Sequence, residues 1–213
     1  MAWFTVNYNN YMKEGIQNTH LAPVFNEIFP LLIAQEIKYW VYGGVAIAGV
    51  KGSFGRKNAD VDVFVLEEDF KAVSQIVNSY GNQKEGTIPV TTTLGNGRPK
   101  VELKPKGGRF DWFSVVPVYF AGDKVIFKFR EKSLALNMEV LTEVERKINN
   151  YSFTTPPDYY IKELFKHYLK TKRVKDKNKV DAEDFLDTGD LHEIFRQADS
   201  QPREEEYMLL LCI

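Results

Sequence analysis

The sequence is short of cysteine. Its 213 residues hold one, Cys212. A single thiol forms no intrachain disulfide and no cysteine metal cluster. Surplus charge of either sign is missing too. Lys and Arg number 28 and Asp and Glu 29, a net charge of −1. Such a chain has no global field to draw in nucleic acid, although a local basic groove remains open to it. Long apolar runs are absent. The run from Phe29 is broken by Gln35, Glu36 and Lys38, too soon to span a membrane. The opening residues, Met-Ala-Trp-Phe-Thr-Val-Asn, have neither the basic nor the apolar region of an export signal. These absences predict a reduced, cytoplasmic setting with no membrane. No internal repeat and no low-complexity tract stands out. What remains is a globular composition, 44% hydrophobic and 14% aromatic. It is long enough for one core, or for a core domain and a small helical one.

The chain is organised around residues 39 to 65. Tyr39 to Tyr42 are aromatic or β-branched and suit a buried strand. Gly43 and Gly44 end it. Glycine there permits a sharp turn and a close approach of ligand to main chain. Val45 to Val50 can then form a helix whose first amides attract phosphate. A second strand follows, from Asp60 to Val65. Alternation puts Asp60 and Asp62 on one face and Val61, Val63 and Val65 on the other. Two carboxylates side by side on an apolar strand are costly unless a cation lies between them. A hard divalent ion such as magnesium resolves the conflict. With a phosphate cradle on the preceding turn, the chemistry suggested is metal-assisted transfer from a nucleoside triphosphate. The plain alternative is a turn followed by two solvated aspartates on an edge strand.

Tyr42-Gly43-Gly44, fifteen intervening residues, then Asp60-Val61-Asp62-Val63 resembles the signature of the nucleotidyltransferase superfamily, the DNA polymerase beta-like fold. The Gly-Gly form is most similar to the small antibiotic-modifying and abortive-infection or toxin-type members. Many relatives have serine where this chain has Gly44, so a hydroxyl contact to phosphate would be absent. The resemblance implies an α+β fold, with a mixed-sheet nucleotidyltransferase core over residues 1–153. A C-terminal helical segment would follow over residues 154–213. It implies that Asp60 and Asp62 are catalytic and hold one or two Mg2+ ions, and that the nucleoside triphosphate is the donor. A third carboxylate on a later strand commonly completes the set. Asp111, the one acid in an apolar stretch, is the residue assigned to it, as metal ligand or general base. Glu102 is its rival, although a solvated strand face explains Glu102 as well.

Lys51 to Asn58 is a loop with Gly52, Ser53 and Gly55, made basic by Lys51, Arg56 and Lys57. Beside a phosphate site these cations could hold the triphosphate tail; otherwise the loop is solvated surface. Leu21 to Ile37 has helical periodicity, with Pro30 placed to kink or split it. His20, just before it, reads as a surface or cap residue. A helix is predicted over 67–80 with Phe70, Val73, Ile76 and Val77 inward. Strands are predicted at 87–94, 100–104, 109–120 and 124–130. Residues 134–149 read as a strand-like turn. A proline-led helix is expected from Asp158 to residue 172, with a stripe of Lys162, Lys166 and Lys170 and an exposed His167. That stripe is either a solvated face or, at Lys162 above all, a wall of the nucleotide cleft. The basic segment 170–179 and the following Asp181 and Asp184 are similar to a cleft-facing helix start in the same relatives, which makes Asp184 a nucleotide-side candidate. Asp190 and Glu193 make a capping box for a last helix. The apolar end Met208–Ile213 could join two copies in a homodimer.

The reading is a metal-dependent nucleotidyltransferase. It would move a nucleoside monophosphate from the triphosphate to an acceptor hydroxyl. Asp60, Asp62 and Asp111 are the catalytic and metal residues. Gly43, Gly44, Lys51, Arg56, Lys57, Lys162 and Asp184 are the nucleotide-binding ones. The acceptor is a small molecule such as an antibiotic, or RNA or protein as in toxin-type relatives. The alternative is a catalytically silent domain of the same fold that binds a nucleotide or a protein partner.

Overall fold

The computed structural model describes residues 18–94, 97–107, 112–129, 132–171 and 176–191. Asp111, the last expected helix from Glu193 onward, and the apolar tail Met208–Ile213 lie outside them.

Seven strands form one mixed sheet: β1 (Tyr39–Tyr42), β2 (Val61–Leu66), β3 (Thr87–Thr93), β4 (Pro99–Pro105), β5 (Phe113–Ala121), β6 (Lys124–Phe129) and β7 (Lys132–Asn137). The order is β1-β2-β5-β4-β3, and the far end of β5 carries the β6–β7 hairpin. β2 and β5 run parallel, and the other pairs are antiparallel. A separate hairpin, β8 (Val144–Ile148) with β9 (Tyr151–Thr155), packs beside β1. The stretch expected as a strand-like turn is therefore β7, a short 3-10 turn (Met138–Leu141) and β8. The helices are α1 (Phe29–Ala34), α2 (Gly44–Lys51), α3 (Phe70–Gln83), α4 (Asp158–Thr171) and α5 (Asp176–Phe185). The class is α+β, as the sequence suggested.

Alternation along β2 decides the architecture. Val61, Val63 and Val65 are fully buried on one face, in a cluster with Phe29 of α1, Val45 of α2 and Val77 of α3. Each fully buried side chain of this size contributes about 1.5–3 kcal/mol. On the other face Phe64 stacks on Trp40, with ring centres 5.3 Å apart and planes 13° from parallel. Val116, Phe127 and Leu136 belong to that second cluster. Asp62, two residues before Phe64, shares its face and is half-buried.

α4 serves both clusters. Ile161, Phe165 and Leu169 join the valines of β2, and Tyr160 and Leu164 join Phe64. α5 adds Ala182 to the first cluster, and Leu186, just past its end, joins it. Pro30 does not split the helical run: a π-helical turn (Val24–Ile28) passes directly into α1 through Ile28 and Phe29, both right-handed helical, and Pro30 falls in α1's first turn. His167 departs from expectation. It is half-buried rather than exposed, because α4 turns that side toward β7.

Candidate active site

The turn from β1 into α2 is built on Gly43. Its φ of 72° and ψ of −151° form a combination that side chains do not tolerate. A Cβ there would stand 3.2 Å from Oδ2 of Asp62, so the turn's main chain lies directly against that carboxylate. No side chain caps the first turn of α2. Its leading amides keep the partial positive charge of a helix N-terminus.

Register places a row of side chains across the sheet on the Asp62 face. Tyr42 of β1 is opposite Asp62, Asp62 is opposite Ser114 of β5, and Ser114 is opposite Glu102 of β4. Ser114 donates its hydroxyl to Asp62 Oδ1 at 2.6 Å. Glu102, 8% exposed, is held between Lys100 and Lys104, the latter at 3.1 Å. Burial, followed by the charge of Asp62, pushes the Tyr42 hydroxyl well above its ordinary 10. Tyr42 is thus a permanent O–H group beside the carboxylates. Asp60, half-buried, precedes β2 on the same alternation.

The loop between α2 and β2 is pinned rather than loose. Arg56 is 6% exposed. It donates Nε to Asp181 Oδ1 of α5 at 2.7 Å, Nη2 to Asp181 Oδ2, and Nη1 to the Lys57 carbonyl at 3.0 Å. Its own carbonyl accepts from Asn18 and Asn58. His20 Nε2 stands 2.8 Å from the Asn58 carbonyl, which can only accept, so that nitrogen carries hydrogen. Burial lowers the His20 pKa below 6.5. This anchoring reports a role for His20 that its position before a helix did not reveal.

Arg56 also explains Gly44. A Cβ at residue 44 would overlap Arg56 Nη2 and stand 2.5 Å from Asn58 Oδ1. The room that a serine would need is taken by a guanidinium and an amide. Gly44, Lys51, Arg56 and Asp184 line one cleft together with Asn58, Val180 and Asp181. Lys51 reaches across it to Asp184 at 2.6 Å. Of the other nucleotide-side candidates, Gly43 adjoins this cleft. Lys57 is exposed, and Lys162 lies 5.7 Å over the Phe185 ring of α5. Ser114 and Asn58 had no sequence signal. Each matters through a partner dozens of residues away. Among the described residues no three His, Cys, Asp or Glu side chains converge as a metal cluster; Asp111 is outside that set.

No protein-family model and no curated protein matches the chain by sequence. Solved structures do match by shape. The lincomycin-bound lincosamide antibiotic adenylyltransferase LnuA superposes with a TM-score of 0.54 at 13% identity. The match covers 83% of this chain and 98% of that one. The solution structure of the antibiotic-resistance factor ANT(2'')-Ia gives 0.54 at 14% identity, over 92% and 96%. At such identities the likeness is one of fold. In architecture the chain is therefore a nucleotidyltransferase-fold protein that resembles antibiotic-modifying enzymes.

Proposed function

We propose that the protein transfers a nucleoside monophosphate from a nucleoside triphosphate to an acceptor hydroxyl. One observation carries this reading: the Asp62 carboxylate lies against the glycine turn that opens α2, and half-buried Asp60, immediately before β2, acts on the same Tyr42 hydroxyl as Asp62. A carboxylate pair and an uncapped helix N-terminus are thus adjacent, as a triphosphate and its counter-ion require.

The donor set suits a hard divalent cation. Asp60 and Asp62 offer oxygen ligands, and Ser114 fixes one Asp62 oxygen while the other faces the turn. Asp60 and Asp62, joined by Asp111, would hold Mg2+. Bound there, magnesium would neutralise charge on the phosphates and on the attacking oxygen. The chain's own groups do the rest. The first amides of α2 receive the phosphates. Lys51, partly exposed beside Gly44, attracts the triphosphate tail, while Arg56, its guanidinium buried on Asp181, fixes the loop next to it. Asp181 and Asp184 hold those two cations in place. Asp111 accepts the acceptor's hydroxyl proton. The hydroxyl oxygen bonds to the α-phosphorus, the bond to the β-phosphate's bridging oxygen breaks, and pyrophosphate leaves. Glu102 is the weaker choice for that proton, because two lysines already stabilise its anion. LnuA is an antibiotic adenylyltransferase, which keeps a small hydroxylated acceptor in view; a macromolecular acceptor is the other class.

The direct experiment supplies ATP labelled on either the α- or the γ-phosphorus to the protein with magnesium and a pool of RNA, protein and small hydroxylated compounds. The α-label should become attached to an acceptor and the γ-label should leave as pyrophosphate. Attachment of the γ-label would mean phosphoryl transfer and overturn the reading. Asp60→Asn/Asp62→Asn should attach neither.

A further inference from the structure

We propose that Ser114 sets which divalent cation the carboxylate pair accepts. By holding one oxygen of Asp62, it makes that carboxylate a one-oxygen ligand, suited to Mg2+ rather than Ca2+. The inference rests on the metal reading above and goes beyond it, because it assigns the choice of ion to a residue that does not itself touch the ion.

Its basis is the direction in which the two oxygens of Asp62 point. Parallel pairing of β2 with β5 is continuous from Val61 opposite Phe113 to Leu66 opposite Val118, which fixes Ser114 beside Asp62. Ser114 is 1% exposed, so bulk water does not compete for its hydroxyl. A hydroxyl has one proton to give. It goes to Asp62 Oδ1 at 2.6 Å, a short charge-assisted bond. Glu102, opposite Ser114 on β4, is bound by Lys100 and Lys104 instead. The other oxygen of Asp62 has a different neighbour. Oδ2 lies against the Gly43 turn, at the end of β1, and β1 and β5 flank β2 on opposite sides. Glycine at residue 43 leaves the space 3.2 Å from Oδ2 free of a Cβ. The two oxygens thus serve two different sides of the strand.

Coordination chemistry turns this geometry into selectivity. Mg2+ takes an octahedron of oxygens, keeps several of its waters and binds through one or two carboxylates. Ca2+ takes about 6–8 oxygens and often draws both oxygens of one carboxylate. For both oxygens of Asp62 to reach one ion, the carboxylate would have to give up Ser114. That would leave a buried hydroxyl without its acceptor, which is costly. A one-oxygen Asp62 therefore meets the needs of Mg2+ and leaves Ca2+ a ligand short. Ser114 is a positioning residue: it acts on the ion only through Asp62.

The test reads metal binding rather than turnover. Mn2+ is the probe, its free concentration is followed by electron paramagnetic resonance, and Mg2+ and Ca2+ are added as competitors. Wild type should bind Mn2+ and give it up to Mg2+ at lower concentration than to Ca2+. Ser114→Ala should weaken Mn2+ binding by about tenfold or more, as removal of a group that orients a metal ligand does. It should also narrow the preference for Mg2+ over Ca2+, since Asp62 is then free to offer both oxygens. Ser114→Thr keeps the hydroxyl and should behave as wild type. An unchanged ratio of Mg2+ to Ca2+ affinity in Ser114→Ala would overturn the proposal, whatever the change in stability, because packing alone does not distinguish the two ions. A folded Thr variant that matches Ala would overturn it as well. If the Ala variant fails to fold by circular dichroism, wild type alone decides: equal displacement of Mn2+ by Mg2+ and Ca2+ rejects the proposal. Asp60→Asn/Asp62→Asn is measured beside them. Loss of Mn2+ there, with no effect of Ser114→Ala, removes only the role of Ser114. Mn2+ binding there equal to wild type removes the metal site itself.

Discussion

Gly44 and Arg56 form one structural decision. The guanidinium occupies the space over the glycine and is itself buried on Asp181. Gly44→Ser should therefore overpack the site and cost about 1–3 kcal/mol in denaturant unfolding. Gly52→Ala, where a Cβ meets nothing within 4 Å but φ is +72°, tests backbone strain alone. If Gly44→Ser proved neutral, Arg56 would not be seated as described. The ion pair makes a second prediction. Its side chains are 7% and 9% exposed, so Arg56→Ala or Asp181→Ala each strands a buried charge. Each should cost about 3–5 kcal/mol, and the double variant should cost clearly less than the sum. Additive losses in a double-mutant cycle would show that the two groups do not act as a pair.

At the scale of elements, the strand–turn–helix–strand unit was the most legible part of the sequence. Aromatic and β-branched residues, two glycines and an alternating Asp-Val-Asp-Val each state their local geometry, and β1, α2 and β2 fall where that pattern puts them. β4, β6 and α4 were legible for the same reason. The cross-strand row was not. Ser114 is one hydroxyl in an apolar strand, and only pairing of β2 with β5 shows that it meets Asp62. Arg56 with Asp181 is 125 residues apart and equally silent in a single sequence. Gly43 tests the element directly. Gly43→Ala forces a side chain into a positive-φ conformation 3.2 Å from Asp62 Oδ2. It should lose more than about 1 kcal/mol of stability and most of its magnesium-dependent response to ATP. A variant as stable and as responsive as wild type would contradict the close approach.

For the whole molecule, α4 and α5 close the structure by packing into the sheet's own clusters. None of the described helices is long and apolar enough to cross a membrane. Two half-buried histidines tie global stability to pH. Burial holds His20 and His167 below the ordinary 6.5. The unfolded chain then binds protons that the folded chain resists, so their contribution is whole above about pH 6.5 and is lost as pH falls through the lowered values. The melting temperature should drop between about pH 7.5 and pH 5.5, and His20→Gln, which can still donate to the Asn58 carbonyl, should flatten that drop. An unchanged profile in the variant would remove His20 as a source.

The central claim is that the carboxylate pair and the glycine turn form one metal–triphosphate site. Its most direct test is the melting temperature with each nucleoside triphosphate, with and without magnesium, for wild type and Asp60→Asn/Asp62→Asn. At a triphosphate concentration of about 100 Kd, a rise of roughly 5–10 °C is predicted for at least one nucleotide, dependent on magnesium and absent from the variant. No rise with any triphosphate, or a rise that survives both the variant and magnesium removal, would contradict it.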